Sequence, residues 1–283
     1  MASNEVKIGY HVNKTMVTIP EIKFKTLFDA IENAYKKHKI NVIQIFSHVN
    51  RSGKPMKLEF EKIKDFITTN DIELFTHGSY PTITVYKGEK VERMTSELDF
   101  ANKLGAKGVV IHINKFSPDK IVSTLEKYRT TWEKYEVPIL IENSAYTSKN
   151  TDEYEYNTVE KINKLNSMLK AKFPKTYAMG VLDTAHLYSA GVNSAEWIKL
   201  NLNNVRLIHL NGSEKPFGSG IDKHAIPFYV KNDVCKAESD KIPEQDLVNF
   251  IRFCKLKNKP MIIEANRGET TVLLETIHYI RKV

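Results

Sequence analysis

Nine carboxylate and imidazole side chains recur along this sequence, most of them where an apolar run ends. They are His77 in FTHGSY, His112 in VVIHIN, Glu142 in ILIENS, Asp183 and His186 in VLDTAH, His209 in LIHLN, Asp222 and His224 in GIDKH, and Glu264 in MIIEAN. Imidazole and carboxylate are the ligand types of zinc and related divalent ions, and nine of them exceed one tetrahedral ion but suit two or three. Any one of these residues alone reads more simply as a hydrogen-bonded structural group. Several carboxylates buried together cost several kcal/mol each unless cations accompany them, so their recurrence predicts a multinuclear metal hydrolase.

The elements that must position them are legible as periodicity. VKIGYHV, VIQIFSH, IELFTHG, GVVIHIN, PILIENS, YAMGVLD, VRLIHLN and PMIIEAN are short runs, apolar on consecutive positions, as strands buried on both faces read. Between them lie amphipathic patterns such as FKTLFDAIENAYKK, LEFEKIKDFITTN, VERMTSELDFANKLGA, KIVSTLEKYRTTWEKY, VEKINKLNSMLKAKF and IPEQDLVNFIRFCKLK, spaced at three and four residues. Strand and helix in alternation predict an α/β fold, a (β/α)8 TIM barrel spanning residues 1–283 as one domain. The carboxyl ends of its strands meet at one mouth, where His77, His112, Glu142, Asp183, His209 and Glu264 would gather. Ser117 and Pro118 read as the cap and first turn of a helix. Asp183 and His186 stand three apart where a strand gives way, and Asp222 and His224 alternate in extended chain, so His186, Asp222 and His224 would form a second cage. The irregular segment from Gly212 to Pro243 is long enough to expect a role of its own.

Lysine and arginine number 42 against 34 aspartates and glutamates, a net charge of +8 that favours polyanionic partners. Lys36, Lys37, Lys255, Lys257 and Lys259 also read as solvated helix faces. The two cysteines, Cys235 and Cys254, fit no CxxC site and are expected as free thiols in a reducing compartment. No leader-like or membrane-spanning run is present, which predicts a soluble intracellular protein of cytoplasm or nucleus, not secreted and without membrane contact. Trp132 and Trp197 read as packing residues and His48 as structural.

Taken together, GYHVNK, HGSY, IHIN, IENSA, VLDTAHLYSAG, IHLNGSEKPFGSGIDKHA and IIEAN resemble the endonuclease IV family of three-zinc apurinic/apyrimidinic (AP) endonucleases over essentially the full length. The resemblance implies one Zn2+ held by His77, His112 and Glu142, with Glu142 bridging to a second held by Asp183, His209 and Glu264, and a third held by His186, Asp222 and His224. It also implies that Arg51, Tyr80 and Pro81 enter double-stranded DNA at an abasic site. Lys115 and Lys223, with Lys54, would grip phosphates, and His11 would contact phosphate or support the ligands. IHIN in place of His-Pro-Gly, Pro81 in place of a bulkier apolar residue, and IPFYVKNDVCKAES after DKHA depart from the family pattern.

The expected chemistry is hydrolysis of the phosphodiester 5′ to the abasic site, leaving a 3′-hydroxyl, by a monomer that also trims 3′ ends. Zinc lowers the pKa of bound water from about 15.7 to about 7, which removes on the order of 12 kcal/mol of deprotonation cost at neutral pH. Glu142 is the candidate catalytic base. Selectivity is expected from extrusion of a nucleotide where stacking is already lost. The main alternative is a divalent-metal sugar isomerase or epimerase on the same barrel, which needs only Glu142, Asp183, His209 and Glu264. A non-catalytic binder of damaged DNA would require a broken ligand set, and none is broken.

Overall fold

The structure is a computed structural model that describes residues 6–13, 24–48, 56–78, 91–113, 116–145, 156–231, 234–236, 242–264 and 270–283, with only the backbone given for 229–231, 234–236, 270 and 271. Strands β1 (Ile8–His11), β2 (Val42–Phe46), β3 (Glu73–His77), β4 (Val109–His112), β5 (Ile139–Glu142), β6 (Ala178–Asp183) and β7 (Val205–His209) are joined by β12 (Met261–Ile263). They form a closed parallel barrel in the order β1-β12-β7-β6-β5-β4-β3-β2. The TIM barrel expected from the sequence is therefore what forms. Short strands β8 (Gly212–Ser213) and β9 (His224–Ala225) make one hairpin, and β10 (Tyr229–Lys231) and β11 (Val234–Lys236) another, within the segment that looked irregular.

Helices α1 (Leu27–Lys36), α2 (Phe60–Thr69), α3 (Val91–Leu104), α4 (Pro118–Lys127), α5 (Arg129–Trp132), α6 (Val159–Lys172), α7 (Thr184–Ser189), α8 (Glu244–Leu256) and α9 (Thr270–Lys282) accompany the strands. Helix α1 starts in a reciprocal box in which Asp29 N donates to Thr26 Oγ1 at 3.1 Å and Thr26 N donates to Asp29 Oδ2 at 3.0 Å. Ser117 caps α4 by accepting from Lys120 N at 3.2 Å, with Pro118 in the first turn, as the sequence predicts. The single helix expected over 120–135 breaks instead at Tyr128, whose backbone (φ −104°, ψ 11°) ends α4 and turns the chain so that Trp132 is buried. Both tryptophans are core residues, and Cys254 is a buried free thiol. Lys259 does not lie on a solvated helix face: it leads into β12 and its Nζ donates to Val205 O at 2.7 Å. Among the described residues no helix is long and apolar enough to cross a membrane.

Two residue layers fill the barrel interior. Val42, Phe75, Val110, Leu140, Val181, Leu207 and Ile262 pack against one another in the lower one. Side chains alternate along a strand, so the residues two positions further on point inward again, one layer nearer the mouth. Those residues are Gln44, His77, His112, Glu142, Asp183, His209 and Glu264, and β1 adds His11 beside Gln44 in register. Strand alternation alone thus converts seven apolar positions into a polar ring.

Candidate metal centre

Within this ring the sequence-predicted ligands converge. His77, His112 and Glu142 form one group, Glu142, Asp183, His209 and Glu264 a second, and Asp183, His186 and His224 a third, the candidate ligand atoms of each lying within 4.8 Å of one another. His77 Nε2 faces His112 Nε2 at 3.0 Å, and Glu142 Oε2 lies 2.7 Å from His112 Nε2. In the second group His209 Nδ1 sits 2.6 Å from Glu142 Oε1 and 3.1 Å from Glu264 Oε2. In the third, Asp222 Oδ1 is 3.2 Å from His186 Nε2 and 3.0 Å from His224 Nε2, and Asp183 Oδ2 is 3.5 Å from His224 Nε2. Glu142 belongs to the first two groups and Asp183 to the second and third.

Local structure explains how residues outside the barrel ring arrive there. Asp183 caps α7 by accepting from His186 N at 2.9 Å, which brings the carboxylate and the imidazole three residues later to the same side. His224 returns through the β8–β9 hairpin, opposite Ser213. The intervening strap is tied to α7, with Gly218 N donating to Tyr188 O at 3.1 Å and Gly220 N to Ser189 O at 2.8 Å. Both glycines hold positive φ, 68° and 66°, a conformation that L side chains adopt only under strain.

The sequence reading missed the polar residues that orient the ligands. His77 Nδ1 donates to Gly78 O and His186 Nδ1 to Asn143 O, each at 2.8 Å, which turns Nε2 of both rings toward the cluster. Asn143 also ties Asp183 through its main chain, accepting from Asp183 N at 2.7 Å. Asn211 donates to Asp183 Oδ2 at 2.6 Å and to Glu264 Oε2 at 3.2 Å while accepting from Glu264 N at 2.8 Å. Gln44 stands in the ring itself. The only sequence signal for the two asparagines is their place one and two residues after a ligand, in IENS and IHLN.

The donor set suits divalent ions. Zinc–nitrogen bonds of about 2.0–2.1 Å in a tetrahedron separate neighbouring ligand atoms by about 3.3 Å. The imidazole pairs His77/His112 and His186/His224 face each other nitrogen to nitrogen at 3.0 and 3.4 Å. Glu142 Oε2 is buried and accepts no aligned hydrogen bond despite its approach to His112. Burial opposes charge on His77 and His224, yet the carboxylates overcome it: Glu142 and Glu264 hold His77 up at about 9, and Asp183 and Asp222 hold His224 up at about 9. His186 and His209 are raised for the same reason. Conversely burial pushes Glu264 up, but the His209 charge outweighs it and the carboxyl settles at about 2, and His112 and His209 hold Glu142 well below the usual carboxylate range. Protons on imidazole do here what a divalent cation can do better.

Of the other predicted residues, His11 is buried, and burial lowers its imidazole to about 3, so the ring is neutral. Its Nδ1 accepts from Gln44 Nε2 at 3.1 Å, which leaves Nε2 as an N–H donor without a partner beside the cluster. Lys223 is ion-paired with Glu214. His48 is structural, as expected, between Glu97 at 3.0 Å and Ser96 Oγ at 3.0 Å. Arg51, Tyr80, Pro81, Lys115 and Lys54 lie outside the described residues.

A family profile described as xylose isomerase-like TIM barrel matches residues 29–277. The probable AP endonuclease of African swine fever virus (isolate Tick/South Africa/Pretoriuskop Pr4/1996) is 27% identical over 224 residues, 73% of this chain and 72% of the viral protein. Endonuclease IV from Thermus thermophilus superposes with a TM-score of 0.74 at 22% identity, covering 98% of this chain and 100% of that one. A xylose isomerase domain containing protein from Salmonella typhimurium superposes with a TM-score of 0.68 at 14% identity, covering 96% of both chains. At such identities the two structural likenesses speak for the barrel alone. The likeness to AP endonucleases expected from the motifs is borne out, and the chain belongs to the xylose isomerase-like TIM barrel family.

Proposed function

We propose that this chain is a zinc-dependent DNA-repair endonuclease that hydrolyses the phosphodiester 5′ to abasic sites in double-stranded DNA and leaves a 3′-hydroxyl. The observation that carries the reading is the assembly of three ligand groups at one barrel mouth, five of whose nine members (His77, His112, His186, Asp222 and His224) fall outside the central four. Its likeness to the viral probable AP endonuclease supports the substrate.

In this reading His77, His112 and Glu142 hold one Zn2+, Glu142, Asp183, His209 and Glu264 a second, and His186, Asp222 and His224 a third with Asp183 beside it. Ions so held supply Lewis acidity toward a phosphodiester. Glu142, shared by two groups and buried, is the base that takes up a proton. Asn143 and Asn211 fix the poses of Asp183 and Glu264. The unpartnered Nε2–H of His11 donates to a phosphate oxygen. Lys223 would exchange Glu214 for a backbone phosphate, adding salt-dependent affinity without sequence preference. The family resemblance assigns lesion recognition to Arg51, Tyr80 and Pro81 and a phosphate contact to Lys115. Trimming of 3′ ends by the same groups belongs to this reading too.

The test is nicking of a duplex that carries a single abasic site, with metal counted per chain before and after chelation. About three zincs and incision lost on chelation and restored by zinc are expected. A sugar isomerase uses only the central four ligands, so one ion per chain without nicking would replace the nuclease reading with that one.

A further inference from the structure

Seven of the eight residues in the polar ring titrate, and the eighth is Gln44. It is fully buried, and its amide is completely engaged. Gln44 Nε2 donates to Glu264 Oε1 at 2.5 Å and to His11 Nδ1 at 3.1 Å, and Gln44 Oε1 lies 2.8 Å from His209 Nε2. A carboxylate can only accept, so the amide nitrogen must face Glu264 and the amide oxygen must face His209. His209 Nε2 therefore carries the proton and donates it to Gln44. That leaves Nδ1, the nitrogen 2.6 Å from Glu142 and 3.1 Å from Glu264, as the atom available to a metal.

We infer that Gln44 is the positioning residue of the central group: it fixes the tautomer of His209 and the pose of Glu264 together, and so sets how tightly that group holds its ion. No other side chain among the described residues bonds both His209 Nε2 and Glu264. The place in β2 explains the choice of residue. Gln44 stands two positions above Val42 of the apolar layer and is in register with His11 on β1, so from β2 its side chain must reach past β1 to His209 at the end of β7 and to Glu264 just after β12. An amide supplies the acceptor and the donor at once, and it does so without charge. A carboxylate would repel Glu264, and an apolar residue would leave the His209 and Glu264 bonds unmade.

The inference rests on the central group being a metal site. Gln44→Met keeps the side chain's length and apolar stem but removes all three bonds, whereas Gln44→Glu keeps the acceptor for His209 and removes the donor to Glu264 and His11. Zinc-loaded protein would be read by long-range 1H–15N correlation of its imidazoles and by competition with a zinc chelator, with no DNA present. The Met variant should lose the single Nε2–H form of His209 and release one ion 10- to 100-fold more readily than the parent, the range found for residues that orient metal ligands, with the remaining ions held as before. The Glu variant should keep the His209 tautomer. A Met variant matching the parent in ring spectrum and affinity would mean that Gln44 only fills space. Loss of the tautomer in the Glu variant overturns the inference as well, and decides it if the Met variant does not fold. A parent chain that takes up no divalent ion overturns the metal reading itself, which is a different failure from a variant that behaves as the parent does.

Discussion

The two ends of this barrel solve the same electrostatic problem with different partners. At the amino end Glu73 is neutralised by Lys7 and by Arg206 Nη2 at 2.7 Å, the latter reaching across from β7 with its guanidinium 5.4 Å above the Phe75 ring. At the carboxyl end Glu142, Asp183, Asp222 and Glu264 make ion pairs, among the described residues, only with imidazoles. Lysine and arginine keep their charge across the physiological range and close one end as a permanent plug. Imidazole gives up its proton, so the other end can trade protons for a metal. The same strands thus carry a site for stability and a site for chemistry.

The largest expected effect comes from the carboxylate shared by two ligand groups. Glu142→Gln keeps size and polarity but removes the charge and the proton acceptor. Incision of an abasic duplex should fall at least about 10³-fold, roughly 4 kcal/mol of barrier, with DNA affinity changed only a few-fold. Gel nicking under single-turnover conditions beside a binding titration separates the two quantities, and parental incision would remove Glu142 from the mechanism.

Next in size is the thermal stability that the ions contribute. A ligand at 100 times its Kd adds about 2.7 kcal/mol, and for chains somewhat shorter than this each kcal/mol is worth about 2–4 °C, so chelation should lower Tm by roughly 5–10 °C. An unchanged melting curve after verified metal removal would contradict the trade of protons for metal at the mouth.

The pH dependence sharpens the contrast through its sign. In metal-free protein His77 and His224 stand at about 9, above the about 6.5 of an unfolded histidine. Their contribution is fully present below about 6.5 and is lost as pH rises through about 9, on the order of 3 kcal/mol per ring at most. Glu264, at about 2, contributes above about 4.5 and loses its contribution as pH falls through about 2. Metal-free protein should therefore lose stability between pH 6.5 and 9. Zinc affinity should rise over the same interval, because each ring must shed its proton before it can bind, so zinc-loaded protein should stay nearly level where metal-free protein loses stability. Melting both forms from pH 6 to 9 checks this divergence, and parallel curves would refute it.

How much of this was legible differs by residue for physical reasons. The strands and the six ligands at their ends could be read because burial on both faces writes a continuous apolar run, and a titratable group at its end stands out. Asp222 and His224 were legible by spacing, but the short hairpin that returns His224 was not, since two-residue strands leave no periodicity. Gln44 was hidden inside VIQIF as one polar residue in a strand, and only barrel closure reveals that it shares a layer with the ligands. Arg206 was invisible for the same reason, because its partner Glu73 lies 133 positions away and is met only across the barrel floor.

The smallest effect belongs to that floor, and it is the one that tests whether the two ends are separable. Arg206 is about a third exposed, so screening discounts its pair with Glu73. Arg206→Met keeps much of the apolar contact with Phe75 and leaves Glu73 to Lys7 alone. The expected loss is about 1 kcal/mol, or some 2–4 °C in Tm, with kcat for incision unchanged. If this substitution slowed incision tenfold while zinc content stayed parental, the floor would be coupled to the mouth through the apolar layer between them. Phe75 would then be the first residue to examine, since it touches Arg206 below and precedes His77 by two positions on the same strand.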